Sequence, residues 1–296
     1  MISDKELIAL DLRGFIPGPS ENESDFLDRV ASCLQKLPMP EHPLIVEDWE
    51  EVGQVMSAYY NCRVDWVLAS YANKGLPFWQ GAATWISDTG VYIHLRRAFQ
   101  KGDYLKIYKR KEVLSHELVH VTRMAFEEPE FEEVLAYQTS GSFWRKFFGP
   151  LFARSWESTL FFGLLVLSLG IQALALYCLD PTLLSLGACL PLIGLIVLCA
   201  RLLVVHRRFK RCFKNLTPIS RTHPLALMLR LTDQEIRYFS RWSQEEIYAY
   251  AARQEGLRWR LICLVYLGSV PKRLGYLASF DARQITQSFR ACSKSF

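Results

Sequence analysis

From Thr159 to Leu179 the chain reads TLFFGLLVLSLGIQALALYCL without a single charge, and after Asp180-Pro181-Thr182 a second apolar run covers Leu183 to Ala200. No other feature restricts the possible folds as much. Each run is long enough to cross a hydrocarbon layer of about 30 Å, and so short a connector permits only a tight helical hairpin. The second run extends to Val205 if Arg201 reaches back to the interface along its own aliphatic stem. Pro191 inside it is tolerable in a membrane helix. Basic residues flank both outer ends, Arg145, Lys146 and Arg154 before, and Arg207, Arg208, Lys210 and Arg211 after. By the positive-inside rule an integral membrane protein with two spans is expected, its N- and C-termini cytoplasmic and the hairpin tip facing away. A buried helical hairpin of a soluble protein is the competing reading, and the basic flanks argue against it.

The remaining residues form two sizeable parts around this hairpin, since half of the 296 residues are hydrophobic. The net charge of +5 says less than its distribution. Acidic residues concentrate between Met1 and Glu51, with Glu21, Glu23, Asp25 and Asp28 close together, while basic residues collect around 145–154 and 201–214. That asymmetry matches a membrane boundary. A polynucleotide surface would need a basic stripe interleaved with exposed aromatics over a folded domain, and none is visible, so no nucleic-acid partner is expected. The cysteines (33, 62, 178, 189, 199, 212, 263 and 292) form no CxxC pair, which fits reduced thiols facing a cytosol better than a disulfide framework. The start, MISDKELIALDLRG, has no basic region followed by an apolar one, so no cleavable signal peptide is expected. Nothing in the pattern bears on oligomeric state.

Five stretches follow. An acidic segment, 1–40, contains the loop GFIPGPSENES and a helix from about Asp25 to Leu37. In 41–141 a helix from Glu47 to Tyr59 precedes strand-like runs at Val64 to Tyr71, Phe78 to Ser87 and Val91 to Arg96, the last two flanking a turn at Asp88-Thr89-Gly90. A long helix is expected from Leu105 through Phe126. The segment 142–157, with Phe143, Trp144, Phe147, Phe148, Leu151, Phe152 and Trp156 among basic residues, reads as interfacial, or else as a linker packed on the soluble part. The hairpin takes 158–205. Residues 206–296 read as all-helical, with capping boxes at Thr232-x-x-Glu235 and Ser243-x-x-Glu246. The fold class expected is therefore α+β for the first soluble part and helical for the second.

The chemistry concentrates in LSHELVH, residues 114–120. Residues four apart on a helix share one face, so His116 and His120 can offer two imidazoles to one metal ion, with Glu117 on the same turn able to reach water at that ion. A catalytic zinc takes three protein ligands and keeps one position for water. Pro129 interrupts the helix, and FEEVLAYQTS can begin a second one that returns to the site. Glu133 is the candidate third ligand, with Ala136 small enough for close packing; Glu132, one position round the helix, is its rival.

VLSHELVHV resembles the active-site helix of the zincin metallopeptidases, and FEEVLAY resembles the glutamate helix of their gluzincin branch, the likeness covering about residues 78–140. It implies a compact zincin-like domain in which a mixed sheet carries the active-site and glutamate helices. It also implies a Zn²⁺ cofactor held by His116, His120 and Glu133, with Glu117 as catalytic base. The mechanism the resemblance implies is metal-assisted hydrolysis, in which the ion would supply Lewis acidity toward the scissile carbonyl and a water of pKa about 7, and Glu117 would move the proton to the leaving amine. The strand upstream of the helix binds substrate backbone in that family, which assigns the role to QGAATWI and in particular to Gly81, Ala82, Ala83 and Thr84. Two departures stand out. The interval from His120 to Glu133 is shorter than in the thermolysin-like and aminopeptidase groups, and the oxyanion-stabilising residue is not evident, Tyr137, His94 and His223 being the candidates.

Other signals carry less. Asp88-Thr89-Gly90 matches the triplet of aspartic peptidases, but that chemistry needs a second carboxylate of the same kind, which the chain lacks. His206 reads as an interfacial side chain, and Trp242, Tyr248, Tyr250 and Trp259 as packing. The expected function is a membrane-anchored zinc metallopeptidase hydrolysing peptide bonds of proteins, membrane proteins among them, at or near the cytoplasmic membrane face. The alternative is a non-catalytic membrane scaffold or regulator with a zincin-like zinc-binding domain. A further possibility is that the acidic N-terminal segment covers the cleft as a pro-region.

Overall fold

A computed structural model describes residues 1–35, 42–44, 46–76, 80–87, 90–104 and 108–268. The protein is mixed α/β, mostly helical, with one small sheet and two long apolar helices.

Helix α1 (Asp4–Leu12), in a stretch for which the sequence reading assigns no helix, begins at a capping box formed by Ser3 and Glu6. Helix α2 (Glu23–Cys33) is capped by Asn22, whose side chain accepts the Asp25 amide at 2.9 Å, and it buries Phe26, Val30 and Cys33 on one face. Its expected end at Leu37 lies outside the described residues. Helix α3 (Val46–Tyr60) leads into the sheet.

Strands β1 (Leu68–Tyr71), β2 (Ala82–Ser87) and β3 (Gly90–Leu95) lie in the order β1-β3-β2. β3 runs parallel to β1 and antiparallel to β2, with Ala83 opposite His94 and Thr84 opposite Ile93. Among the described residues β2 therefore has one strand partner and stands at the sheet edge. Both outer strands are shorter than their apolar runs suggest, and residues 88–89 of the turn are outside the described set.

Helix α4 (Arg110–Thr122) carries the HELVH string and is shorter at both ends than the expected span from Leu105 to Phe126. After it the chain turns through Glu127, at φ 52°, and Pro129 opens helix α5 (Pro129–Tyr137) at a position where its missing N–H costs nothing. The N-terminal amides of α5 are capped in trans. Asp233 accepts the N–H groups of Glu130 at 2.7 Å and Phe131 at 3.3 Å, while the Glu128 carboxylate accepts the Asp233 N–H at 2.5 Å. Two helix starts far apart in sequence thus cap one another.

Helix α6 (Phe143–Phe148) leaves Phe143 and Trp144 each 68 % exposed, an unfavourable arrangement in water and an ordinary one at a lipid interface. Helix α7 (Ser155–Cys178) and helix α8 (Pro181–Leu216) form the hairpin. Leu179 turns the corner in the left-handed region, and Asp180 caps α8 by accepting the amides of Thr182 and Leu183. Inside the hairpin the Ser168 hydroxyl donates to the Gly187 carbonyl at 2.6 Å. A Cβ on Gly187 would lie 3.0 Å from Gln172, so the glycine permits the close crossing usual between membrane helices. Only 11 % of the most apolar window of either helix is buried within the protein, so this chain's own core does not hide the hairpin.

α8 does not stop at the end of its apolar part. At about 1.5 Å per residue its 36 residues run to about 54 Å, well beyond a hydrocarbon layer. Past Arg201, a stripe of Leu202, Val205, His206, Phe209, Cys212 and Leu216 turns into the soluble core. Arg201 itself pairs with Glu157 of α7 and donates to the Leu151 carbonyl at 2.7 Å, where the sequence alone had it reaching for the interface. Short helices complete the fold: α9 (Pro224–Met228), α10 (Asp233–Phe239), α11 (Gln244–Ala251) and α12 (Leu257–Leu261). The capping boxes of Thr232 and Ser243 begin α10 and α11. One hydrophobic cluster takes in residues from Ile2 through Leu267, so α1, the sheet, α4, α5, the far half of α8 and the last helices share a single core. Residues 1–35 do not line the cleft described next.

Candidate metal centre

α4 sets His116 and His120 one above the other, with ring centroids 4.9 Å apart and Nε2 atoms 3.2 Å apart. α5 crosses this face and brings in Glu133, whose Oε2 lies 3.6 Å from His116 Nε2 and whose Oε1 lies 3.4 Å from His120 Nε2. Two donors bound tetrahedrally at 2.0–2.1 Å from one zinc ion would stand about 3.3 Å apart. All three separations fall close to that figure. His116, His120 and Glu133 form the one His/Cys/Asp/Glu group with metal-ligand spacing among the described residues.

Neighbouring groups orient this triangle. Glu132 Oε1 lies 2.6 Å from His120 Nδ1, which keeps a proton on Nδ1 and turns Nε2 toward His116 and Glu133. The two adjacent glutamates therefore divide the work: Glu133 joins the triangle and Glu132 grips the back of an imidazole. Behind Glu132 stands Arg123, fully buried, its Nε 4.0 Å from Glu132 Oε2 and its Nη1 donating to the carbonyls of Leu229 and Leu231 at 2.7 and 3.0 Å. The arginine ties the polar cluster to the loop before α10.

Glu117 points from the next position of α4 toward β2, where the Thr84 hydroxyl donates to its Oε2 at 2.8 Å. Tyr137, one turn after Glu133, sets its ring edge-on to His116 at a centroid distance of 4.6 Å. Gly149 makes room for it, since a Cβ there would come within 2.5 Å of the tyrosine ring.

The charges are mutually dependent. Burial, helped by the neighbouring His120, holds His116 well below the ordinary imidazole value. Burial works against a charge on His120 as well, but the Glu132 hydrogen bond and the carboxylates of Glu133, Glu132 and Glu117 outweigh it and raise the group to about 9. Burial pushes Glu133 up to about 7, against the pull of His120, and raises Glu117 against the pull of His120 and Thr84. A divalent cation bound at this point would take the place of the His120 proton and meet the same carboxylate. The donor set, two imidazoles and a carboxylate, is one that zinc takes at catalytic sites. The residues present fit the ion.

These groups line a cleft of about 990 Å³. Gly81, Ala82, Ala83 and Thr84 form one wall, and Tyr137 and Arg145 also face it. The two histidine alternatives for an oxyanion partner are not part of it. His94 stays on the sheet opposite Ala83, near Trp85, and His223 caps α9 beside Tyr59 and Phe213. The sequence reading passed over Arg123 and the pairing of Glu112 with Arg145, whose Nη2 lies 2.5 Å from Glu112 Oε2. Glu112 also accepts the Gly141 amide at 3.0 Å, fastening the start of α4 to the chain leaving α5. Its only sequence signal is an acid in the first turn of the motif helix. No family model, curated protein or solved structure matches the chain.

Proposed function

We propose that the protein is a membrane-anchored zinc metallopeptidase of gluzincin type that hydrolyses polypeptides at the cytoplasmic face of a bilayer. One observation carries the reading: three donors converge at zinc-like spacing while a fourth side chain, Glu117, stands beside them with its carboxylate held by Thr84. His116, His120 and Glu133 would hold the ion. Zinc bound there supplies Lewis acidity, polarising a carbonyl and lowering the pKa of water to about 7.

The chain's own residues do the rest. Glu117 takes a proton from the attacking water and returns it to the leaving amine, a role favoured by burial that lifts its proton affinity toward neutrality. The Thr84 hydroxyl fixes which oxygen of Glu117 faces the cleft. Glu132, backed by Arg123, keeps the His120 ring in one tautomer and one orientation. The edge of β2 away from β3, which no strand covers among the described residues, offers backbone groups to an extended substrate, and its small residues let that backbone approach. The Tyr137 hydroxyl is the candidate donor to the developing oxyanion, since Tyr137 alone of the three candidates lines the cleft. The α7–α8 hairpin holds this machinery at the membrane, with the basic flanks on the cytoplasmic side.

The test uses the full chain reconstituted in lipid nanodiscs and a library of quenched fluorescent peptides. Wild type is expected to cleave members of the library, and Glu117→Gln to lose activity by a factor on the order of 10²–10⁴ while keeping its zinc. Equal rates in the two proteins would remove Glu117 as base. Zinc without any turnover would favour the scaffold reading.

A further inference from the structure

The cleft does not end at the soluble part. The cavity that holds His116, Glu117 and Glu133 continues past Gly149 and Phe152 to Ala153, Arg154, Ser158 and Phe162. Ser158 and Phe162 belong to α7, the first of the two membrane-length helices. The Glu157–Arg201 pair marks where charge stops along the hairpin. Phe162 lies beyond that pair by about 7 Å of helix, at a level where α7 is wholly apolar. Phe162 is 58 % exposed, and exposed Phe143, Trp144, Phe148 and Trp156 mark the same boundary. One continuous space therefore has a proton-transfer carboxylate at one end and lipid-facing helix at the other.

We propose that this cavity is an entry route for polypeptides emerging from the bilayer. The substrate's own transmembrane helix lies beside α7 and its juxtamembrane segment runs extended along β2 to Glu117. The chemistry of the walls selects a polypeptide over a lipid. One wall is the edge of β2, Ala82 to Thr84, which no further strand covers among the described residues; an extended backbone can pair along such an edge, and an acyl chain has nothing to pair there. A wholly water-soluble peptide would have no use for the stretch from Ala153 to Phe162. Arg154, at the level of the headgroups, suits the phosphates surrounding the emerging chain. The inference rests on the proposed peptidase site for its substrate class, but on the cavity alone for its route.

The closing experiment reads binding, so that it does not depend on turnover. Glu117→Gln protein in nanodiscs is mixed with a synthetic peptide made of one transmembrane segment and a flexible extension carrying a photoreactive residue at successive positions. A second peptide has the same extension on a lipid anchor with a long flexible linker, which equalises local concentration without presenting a helix to α7. The expected result is labelling of residues 80–84 from the transmembrane peptide at a few adjacent probe positions, at least about tenfold above the lipid-linked control, the preference that properly spanning tethers give over mismatched ones. Ala153→Trp and Ser158→Trp, each checked for unchanged zinc content and thermal unfolding, should lower that ratio toward one. Equal labelling by both peptides, or a ratio that neither tryptophan alters, would overturn the route. Absence of zinc or of any peptide cleavage by wild type would instead count against the peptidase reading and leave the labelling result standing.

Discussion

Two buried polar clusters in this protein are built on opposite principles. In the first, Arg230 and Asp11 are both fully buried, their Nε and Oδ1 atoms 2.7 Å apart. Tyr266 donates to the other Asp11 oxygen, and Arg230 also donates to the carbonyls of Tyr60 and Ala226. Burial opposes the Arg230 charge, but Asp11 beside it more than compensates and raises its proton affinity. Opposite charges meet and both acid oxygens are occupied. In the second cluster, the potential ligand atoms of His116, His120 and Glu133 turn toward a common point, and no lysine or arginine stands among them. The first meets its acid with a cation from the chain itself and joins α1 to α9 and the segment after α12. The second has the spacing of a metal site, and in the proposed function it serves chemistry. The difference teaches which buried charges to read as function: those whose geometry is satisfied only by something the chain does not contain.

Breaking the first cluster should have the largest effect. Arg230→Met leaves Asp11 buried and unpaired, and should cost about 3–5 kcal/mol of stability, read as a lower denaturation midpoint or failure to fold. Adding Asp11→Leu should restore part of that loss, because an apolar pair of similar bulk no longer strands a charge. An Arg230→Met protein as stable as wild type would contradict the assignment of this cluster to the fold.

The second cluster should respond in metal binding and rate, with little change in folding. Glu117→Gln, as stated above, should lose activity without losing zinc. Glu132→Gln should weaken zinc binding by about 10–100-fold, the usual cost of removing a carboxylate behind a ligating histidine, measured by competition with a chelator. Zinc in excess should also protect the wild-type protein thermally, by about 2.7 kcal/mol at a hundredfold excess over the dissociation constant, and a chelator should reverse it. Protection that persists in a protein carrying both His116→Ala and His120→Ala would place the metal elsewhere.

The smallest effect concerns the mutual caps of α5 and α10. Burial pushes the Asp233 carboxyl up to about 6, against the pull of Arg123 and of the amides it accepts. The folded protein then binds this proton more tightly than the unfolded chain. The associated stability is fully present below the ordinary value of 3.8 and is lost as pH rises through about 6. Asp233→Asn should flatten that slope, seen as a pH-independent difference from wild type only outside the window. Identical pH profiles across it would show that Asp233 is not the titrating group.

What could be read from sequence was local. The HELVH spacing, the capping boxes at Thr232 and Ser243, and the twin apolar runs each state their geometry within a few residues, and the helices and hairpin are found where those patterns lie. The capping box at Ser3 was equally legible but was lost against the acidic composition around it. What sequence left open was set by long-range packing. Glu132 and Glu133 are chemically identical neighbours, and only the crossing of α5 over α4 decides that one faces both imidazoles and the other a single Nδ1. Asp11 and Arg230 are 219 positions apart, and Asp233 caps a helix that begins about a hundred residues earlier, so no local spacing announces either. The reach of the cleft to α7 is likewise a property of the assembled hairpin.

The most direct test of the central claim is zinc content combined with X-ray absorption at the zinc edge, on purified wild type and on Glu133→Ala. One ion per chain is expected, with two imidazole nitrogens and a carboxylate oxygen from the protein at about 2.0–2.2 Å. Glu133→Ala should lose the ion or lose that oxygen. A wild type that takes up no zinc, or one whose metal is held by sulfur and is indifferent to Glu133→Ala, would contradict the account.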